Sequence, residues 1–316
     1  MKKILLSISM IAVVGVVVAG ATGAFFSDTE TSTGNTFTAG AIDLGVDNES
    51  YYNNLPNLAN SWGLDWDIDN TEYLGDNPDT TEVEDGYSLP IPRQFFTFRD
   101  LKPGDSGEDT ISLHVNNNDS YLCADVKLTS DDDNDITEPE GDDGDIGPGP
   151  IGNGDLADAV NFYWWADDGD NVFECVMEEN QAGEEVCNPE AEGSEHLLPA
   201  GPLGNLSVDQ TATVDLADAD TNIWGDLGPL PGGSTRYIAK AWCFGESEFD
   251  PYDQDGLGSG NNNSPVQRPV VCDGEDEDNM TQTDSFTADI SFRAVQSRHN
   301  ASFECDVPNP QLPSGL

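Results

Sequence analysis

Positive charge is scarce in this sequence. Of its 316 residues, 11 are Lys or Arg and 61 are Asp or Glu, and the formal net charge at pH 7 is −50. Such a surface repels nucleic-acid phosphates and anionic lipids, which excludes nucleic-acid binding and favours cations as partners. The acidity serves either as a solvated coat in high salt or as a set of divalent-ion sites. In both cases, cations are expected to stabilise the folded chain.

Histidine is also rare, and the motifs of several enzyme classes are missing. The three histidines, His114, His196 and His299, are far apart, and none begins the His-Glu-x-x-His motif that zinc peptidases carry on a helix. The sequence has no Gly-x-Ser-x-Gly nucleophile motif and no Cys-x-x-Cys pair. We therefore predict that the chain is not an enzyme.

A sustained helical period is missing after residue 24, and no internal repeat is visible. Alternating apolar and polar residues recur instead, and they predict strands over residues 42–46, 94–101, 111–115, 122–128, 161–165, 172–177, 211–216, 235–243 and 286–294. Asp168-Gly169 predicts a hairpin between the fifth and sixth of these. The expected fold is an all-β jelly-roll or immunoglobulin-like antiparallel sandwich over residues 41–305. Long acidic loop insertions are expected near 47–92, 129–155, 178–210 and 245–281, with a tail at 306–316.

The first 24 residues have the layout of a secretory signal peptide. Lys2 and Lys3 form a positive n-region, positions 4–19 are uncharged, and small residues crowd positions 19–24. Cleavage is predicted after Ala24, which makes Phe25 the first mature residue, with Ala21 as the second choice. The alternative is that this segment is retained as a membrane anchor. A spanning helix needs roughly 20 apolar residues, and positions 4–19 contain too few strongly apolar residues for that. Membrane contact is therefore expected only before cleavage by a signal peptidase.

Residues 24–44 read Ala-Phe-Phe-Ser-Asp-Thr-Glu-Thr-Ser-Thr-Gly-Asn-Thr-Phe-Thr-Ala-Gly-Ala-Ile-Asp-Leu. This segment resembles the mature start of the TasA/camelysin family, whose members are exported through a SipW-type signal peptidase. Weaker similarity continues at 101–105, 242–245 and 282–286. The resemblance implies a secreted or cell-surface extracellular protein, a subunit of biofilm-matrix-like filaments. It also carries a less favoured suggestion of camelysin-like metalloprotease activity.

Residues 25–40 form an extended, Thr-rich segment that could span about 50 Å. In TasA-like filaments, as the resemblance implies, this segment inserts into the sheet of the next subunit, where backbone pairing gives affinity. The candidate assembly residues are the anchors Phe25 and Phe26, with Phe37 and Ala39 nearer the hinge. A head-to-tail contact of this kind does not close, so it produces fibres. Alternatively, residues 25–40 form an edge strand within their own domain or are disordered. The protein would then be a monomeric calcium-binding or adhesion module.

Acidic side chains in one predicted turn suggest a calcium site. Asp167, Asp168, Asp170 and Glu174 gather oxygen ligands around Gly169, and calcium takes six to eight such oxygens. The spacing differs from that of the EF-hand loop, and the alternative is a solvated turn whose Asp and Gly residues suit its dihedral angles. A second, weaker group of this kind comprises Asp131, Asp133, Asp135, Asp142 and Asp143. Calcium is thus the one cofactor that the sequence suggests.

The six cysteines are even in number, and in an exported chain they predict three disulfides. Six cysteines allow fifteen pairings, and the sequence alone does not choose among them. The pairing we consider joins Cys175 to Cys187 and Cys243 to Cys272 in local loops. The third bond in this pairing joins Cys123 to Cys305.

Overall fold

The computed structural model describes residues 27–31, 44–62, 94–147 and 153–305, apart from residues 59, 117, 181, 190, 199, 226, 249–250, 257 and 259–263. Several predicted features lie outside the described residues: the signal peptide, the cleavage site at Ala24 and Phe25, the tail 306–316, and the assembly residues Phe25, Phe26, Phe37 and Ala39. Among the described residues, no helix combines the length and the apolar character that crossing a membrane requires.

Strands dominate the described chain. They are β1 (Ser27–Thr31), β2 (Leu44–Tyr52), β3 (Leu55–Pro56), β4 (Ser106–Val115), β5 (Ser120–Asp132), β6 (Val160–Asp167), β7 (Glu174–Cys175), β8 (Met177–Glu179), β9 (Glu185–Cys187), β10 (Gly201–Pro202), β11 (Thr211–Ala217), β12 (Ser234–Phe244), β13 (Glu246–Glu248), β14 (Tyr252–Asp253), β15 (Val271–Asp273) and β16 (Ser285–Gln296). Two short helices, α1 (Glu138–Asp143) and α2 (Leu156–Ala159), and a 3-10 turn at Leu203–Asn205 complete the set.

Two antiparallel sheets form the body of the protein. The four-stranded sheet has the order β1-β16-β5-β11, and the six-stranded sheet has the order β10-β6-β12-β4-β2-β3. Three small pairs lie in the insertions: β13 with β15 and β8 with β9 are antiparallel, whereas β14 with β7 is parallel. The predicted all-β antiparallel sandwich is confirmed.

Alternation along β16 shows how the sequence builds the core. Ala288, Ile290, Phe292 and Ala294 are buried, whereas the residues between them are partly exposed. Because successive strand side chains point to opposite faces, this pattern places one apolar row against the other sheet. The ring of Phe162 on β6 lies 6.3 Å from that of Phe286, with near-perpendicular planes. Aromatic contacts of this kind join the two sheets in one core.

The outer face of the six-stranded sheet is covered as well. Tyr163, Trp165, Ala200, Ala239 and Ala241 form a second buried apolar cluster there. Phe173, just before β7, and Leu197 and Val270, from two of the polar insertions, pack on this cluster. Strands β6 and β12 are therefore buried on both faces, and the insertions are held against the sheet rather than projecting from it.

Two predicted elements are wrong. Residues 94–101 form no strand: Asp100 has a φ of 59°, in the left-handed region that extended strands do not use. Phe95 and Phe96 instead pack against the core in irregular backbone. The hairpin around Asp168-Gly169 is not formed, because β6 pairs with β12 on one edge and β10 on the other. The chain after the turn forms β7, which pairs with β14.

Three disulfides are present, and they join the partners considered above. Cys123 on β5 is bonded to Cys305 across 182 residues of sequence. Two further bonds, Cys175–Cys187 and Cys243–Cys272, close local loops of the insertions. The long-range bond therefore fixes the chain after β16 to the centre of the four-stranded sheet, whereas the local bonds fix the insertions.

A buried ion pair crosses the middle of the six-stranded sheet. Lys240 on β12 and Asp109 on β4 are register partners, and Nζ lies 2.6 Å from Oδ2. Both side chains are almost fully buried, at 0% and 1% exposure. Asn48 Nδ2 donates to the other carboxylate oxygen at 3.3 Å, and the Phe96 ring centroid is 5.0 Å from Nζ. Each charge is thus desolvated and depends on its partner.

Glu108, beside this pair in sequence, is a buried acid of a different kind. It accepts a hydrogen bond from the Val270 N–H at 3.0 Å, while its Oε2 has no partner. Burial is the main cause that raises the pKa of Glu108 from 4.5 to about 8; the Val270 hydrogen bond lowers it, and the nearby Asp109 and Asp167 contribute to the rise. The folded chain therefore holds this proton over a pH range in which the unfolded chain releases it.

We expect Glu108→Gln to flatten the pH dependence of stability. The bound proton stabilises the wild type fully below pH 4.5, and this contribution is lost as pH rises through about 8. At pH 9 the variant is expected to be more stable by on the order of 2 kcal/mol, less than the full pKa shift implies because its amide NH₂ lacks a partner. Urea unfolding from pH 5 to 9 with a chelator present measures this. Exposed Glu275→Gln is the control, and an unchanged slope in Glu108→Gln would contradict the prediction.

Candidate cation site and assembly edge

Three of the four predicted calcium ligands come together where β6 ends, and Glu174 is outside this close group. One carboxylate oxygen from each of Asp167, Asp168 and Asp170 lies within 4.8 Å of the others. The chain turns sharply here, since Gly169 and Asn171 have φ values of 115° and 60°. A left-handed backbone at these positions suits Gly and Asn, which is why this local sequence folds into a tight acidic turn.

The buried side chain of Asp167 stabilises the turn by accepting hydrogen bonds. Its carboxylate accepts hydrogen bonds from the N–H of Gly169 at 2.9 Å and of Asn171 at 3.1 Å. It also accepts from Trp165 Nε1 at 3.2 Å. These donors occupy both oxygens, so Asp167 shapes the turn. Asp168 Oδ2 accepts from the N–H of Gly258 at 3.1 Å, and Asp170 Oδ1 accepts from the N–H of Val172 at 2.9 Å.

Two insertions bring further acids to the turn. Glu195 accepts from the N–H of Asp168 at 3.1 Å and from that of Glu174 at 2.7 Å. Glu174 accepts from the N–H of Asp255 at 3.2 Å, and Arg268 lies 3.5 Å from its other oxygen. Sequence reasoning missed Glu195 and Asp255, because neither belongs to the local turn. No periodic signal could have linked them to it.

The acids of this cluster raise one another's pKa. Burial, with Asp170 next, raises the pKa of Asp167 to about 8, and burial raises that of Glu174 to about 7. The pKa values of Asp168 and Glu195 are also raised, in each case mainly by burial. Burial and mutual repulsion therefore disfavour the charged forms of these acids, and a bound cation would favour them.

The second acidic group of the sequence does not converge. Asp131 ends up buried on β5, and Asp143 on α1 accepts from both the backbone and the side chain of Asn279. In the part of the chain that the structure describes, Asp131, Asp133, Asp135, Asp142 and Asp143 do not contribute to a close group of ligand atoms. Asp131 is on β5, Asp133 and Asp135 are in the segment that follows it, and Asp142 and Asp143 are on α1.

The histidines are equally dispersed. His114 bonds to Asp47 Oδ2 through Nε2 at 3.1 Å and to Thr235 Oγ1 through Nδ1 at 3.0 Å, across three neighbouring strands. His196 and His299 are exposed elsewhere. Within the described ranges, two groups bring possible ligand atoms close together: Asp167, Asp168 and Asp170, and, elsewhere, Asp215, Asp218 and the disulfide-bonded Cys305. Neither group includes a histidine. The described residues therefore offer no histidine arrangement of the zinc-peptidase kind.

The N-terminal strand forms one edge of the four-stranded sheet. β1 is antiparallel to β16, in a register that runs from Ser27 opposite Val295 to Thr31 opposite Ser291. This is the edge-strand arrangement that the sequence left open as an alternative to donation. β1 covers only part of β16, and in the described chain the remaining part, from Ser285, pairs with β5 alone.

Comparison with known proteins yields one match. A family model described as camelysin metallo-endopeptidase matches residues 1–60, about one fifth of the chain. No curated protein matches the chain, and no solved structure matches it. Over its first 60 residues, the chain is thus similar to the camelysin family, in agreement with the TasA/camelysin resemblance of residues 24–44.

Proposed function

We propose that this protein is an exported structural protein that assembles into extracellular filaments by donating its N-terminal strand, and that it is not an enzyme. The observation that carries the proposal is the place of β1. Ser27–Thr31 pairs with β16 alone, at the edge of a sheet, and the next described strand begins at Leu44 in the other sheet. The strand can therefore leave without disturbing the order of any other strand.

Exchange between copies replaces one set of hydrogen bonds by an identical set. When β1 of a neighbour occupies the same edge of β16, it makes the same backbone ladder in the same register. The connection from 32 to 43 can extend to about 40 Å, enough to bridge two bodies in contact. Because donor and acceptor are different parts of each copy, the contact repeats without closing, which produces filaments.

Charge sets the conditions for assembly. With 61 acidic residues against 11 basic ones, neighbouring copies repel one another strongly at low ionic strength. In 1 M salt the Debye length is about 3 Å, so the repulsion between exposed charges that are farther apart than this is largely screened. Filaments are therefore expected at high salt or with divalent cations, and single chains at low salt.

A proline within β1 tests the proposal directly. Thr29 pairs with Arg293 at the centre of the strand. Thr29→Pro removes a backbone N–H and disfavours pairing, so we expect no fibres of the mature protein by electron microscopy at high salt. Thr29→Val keeps the N–H and serves as the control at the same position. Deletion of residues 25–33 is expected to act like the proline. Unchanged fibres in both the proline and the deletion variants would contradict donation.

The rival functions give different results in the same preparation. A monomeric surface module predicts one elution volume in size-exclusion chromatography at all concentrations and salt levels. The metallo-endopeptidase activity in the family description predicts peptide cleavage that a chelator abolishes. We expect neither, since the described histidines do not converge and β1 offers a pairing edge.

A further inference from the structure

The acidic turn after β6 joins three parts of the chain that are distant in sequence. Asp168 Oδ2 accepts from the N–H of Gly258 at 3.1 Å, 90 residues away, and Glu195 accepts from the N–H of Asp168. Glu174 accepts from the N–H of Asp255, 81 residues away. Two polar insertions therefore meet at one group of carboxylates, on the outer face of the six-stranded sheet.

An unsatisfied amide in this turn points to a missing ligand. Asn171 is fully buried, and neither its Oδ1 nor its Nδ2 has a hydrogen-bond partner. Asn171 also binds Asp167 through its backbone N–H, which keeps it in the turn that carries Asp168 and Asp170. Asp168 Oδ1 is likewise buried without a partner. Leaving such groups unpaired is unfavourable, and a bound cation would satisfy the oxygens.

We propose that Asp168, Asp170 and Glu174, with the amide oxygen of Asn171, bind one calcium ion that fastens the insertions to the outer face of the six-stranded sheet. The ligands are all oxygens, and the close group contains no histidine or cysteine, as a hard cation requires. Asp167 and Glu195 organise the site through hydrogen bonds from backbone N–H groups. This inference does not depend on strand donation.

Arg268 is the counter-charge of the site. Its guanidinium lies 3.5 Å from Glu174 Oε1 and 4.5 Å from the Tyr252 ring centroid on β14. A positive group at this distance opposes a second cation. Calcium binding therefore weakens the Arg268 contact with Glu174, and Arg268 lowers the affinity for calcium.

Calorimetry tests the proposal on the full mature protein, stripped with a chelator and titrated with calcium chloride at constant high potassium chloride. We expect one calcium per chain. Asp168→Asn/Asp170→Asn is expected to weaken binding at least about tenfold, since affinity follows the number of charged ligands. Asp142→Asn/Asp143→Asn makes the same change in net charge outside the site, and it is expected to bind calcium as the wild type does. Equal weakening by both pairs would show a diffuse counter-ion effect and overturn the proposal.

A variant that is expected to change the calcium affinity in the opposite direction controls for misfolding of Asp168→Asn/Asp170→Asn. Arg268→Gln is expected to tighten calcium binding about threefold or more, because it removes a competing charge. Limited proteolysis adds a second readout: calcium is expected to protect the segments around Glu195 and Asp255. Wild-type affinity in both Arg268→Gln and Asp168→Asn/Asp170→Asn, or calcium-independent cleavage of these segments, would overturn the site.

Discussion

Replacing Lys240 with methionine is expected to lower the free energy of unfolding by about 3–5 kcal/mol. Methionine fills similar space but leaves Asp109 buried, charged and without its cation. In the wild type, Lys240 Nζ lies 2.6 Å from Asp109 Oδ2, and neither side chain is more than 1% exposed. The Asn48 amide remains as a hydrogen-bond donor at 3.3 Å, which is too weak a partner to replace the lost charge. Chemical denaturation at fixed salt and pH measures the loss.

A surface pair supplies the control. Lys127 is 2.7 Å from Asp209, but the two side chains are 36% and 77% exposed. Lys127→Met is therefore expected to change stability by less than about 1 kcal/mol. The double variant Lys240→Met/Asp109→Leu removes both buried charges, so it is expected to recover much of the stability that Lys240→Met loses. A loss below about 1 kcal/mol in Lys240→Met would contradict the prediction that Asp109 depends on this cation.

The strands that could be predicted are those with one apolar and one polar face. β16 is the clearest, because Ala288, Ile290, Phe292 and Ala294 alternate with polar residues and are all buried in the core. The order of strands in each sheet could not be predicted in the same way. It depends on long-range pairing, such as that of β2 with β4, and local alternation carries no information about a distant partner.

Residues 94–101 show how an apolar pattern can mislead. Phe95, Phe96 and Phe98 resemble a strand because they are aromatic and closely spaced. In the structure, they serve as packing for the core: the Phe98 ring lies 4.7 Å from that of Trp242, and the Phe96 ring 6.0 Å from that of Phe162. Aromatic side chains supply large apolar area in any backbone conformation. The aromatic pattern therefore marks residues that pack against the core, but it does not determine their backbone conformation.

The candidate cation site was half visible in the sequence. Asp168, Asp170 and Glu174 share a short acidic segment, so local spacing was enough to suggest them. Glu195 and Asp255 reach the turn from insertions that looked like solvated acidic loops. Their positions depend on backbone hydrogen bonds to the turn and on the apolar cluster beneath it. Because acidic residues are abundant in these loops, the sequence does not distinguish Glu195 and Asp255 from the exposed acidic residues around them.

Removing the long-range disulfide with Cys123→Ala/Cys305→Ala is expected to lower the free energy of unfolding by about 5 kcal/mol. The bond spans 182 residues, so its loss gives the unfolded chain far more conformational freedom than the loss of a local bond. In the folded protein, both cysteines are buried, and the Cys305 N–H donates to Asp218 Oδ2 at 3.2 Å. This hydrogen bond is retained in the variant, so the chain after β16 keeps one attachment to the sandwich.

The local disulfide Cys175–Cys187 is the matched comparison. It spans 12 residues, for which the same chain-entropy argument gives about 3 kcal/mol. Because β7 lies outside both main sheets, the loss of this bond is expected to open the insertions, and the sandwich is expected to unfold at nearly the wild-type denaturant concentration. Denaturant unfolding followed by tryptophan fluorescence, together with proteolysis of the insertions, separates the two effects. If Cys175→Ala/Cys187→Ala destabilised the sandwich as much as Cys123→Ala/Cys305→Ala, the insertions would have to unfold together with the core.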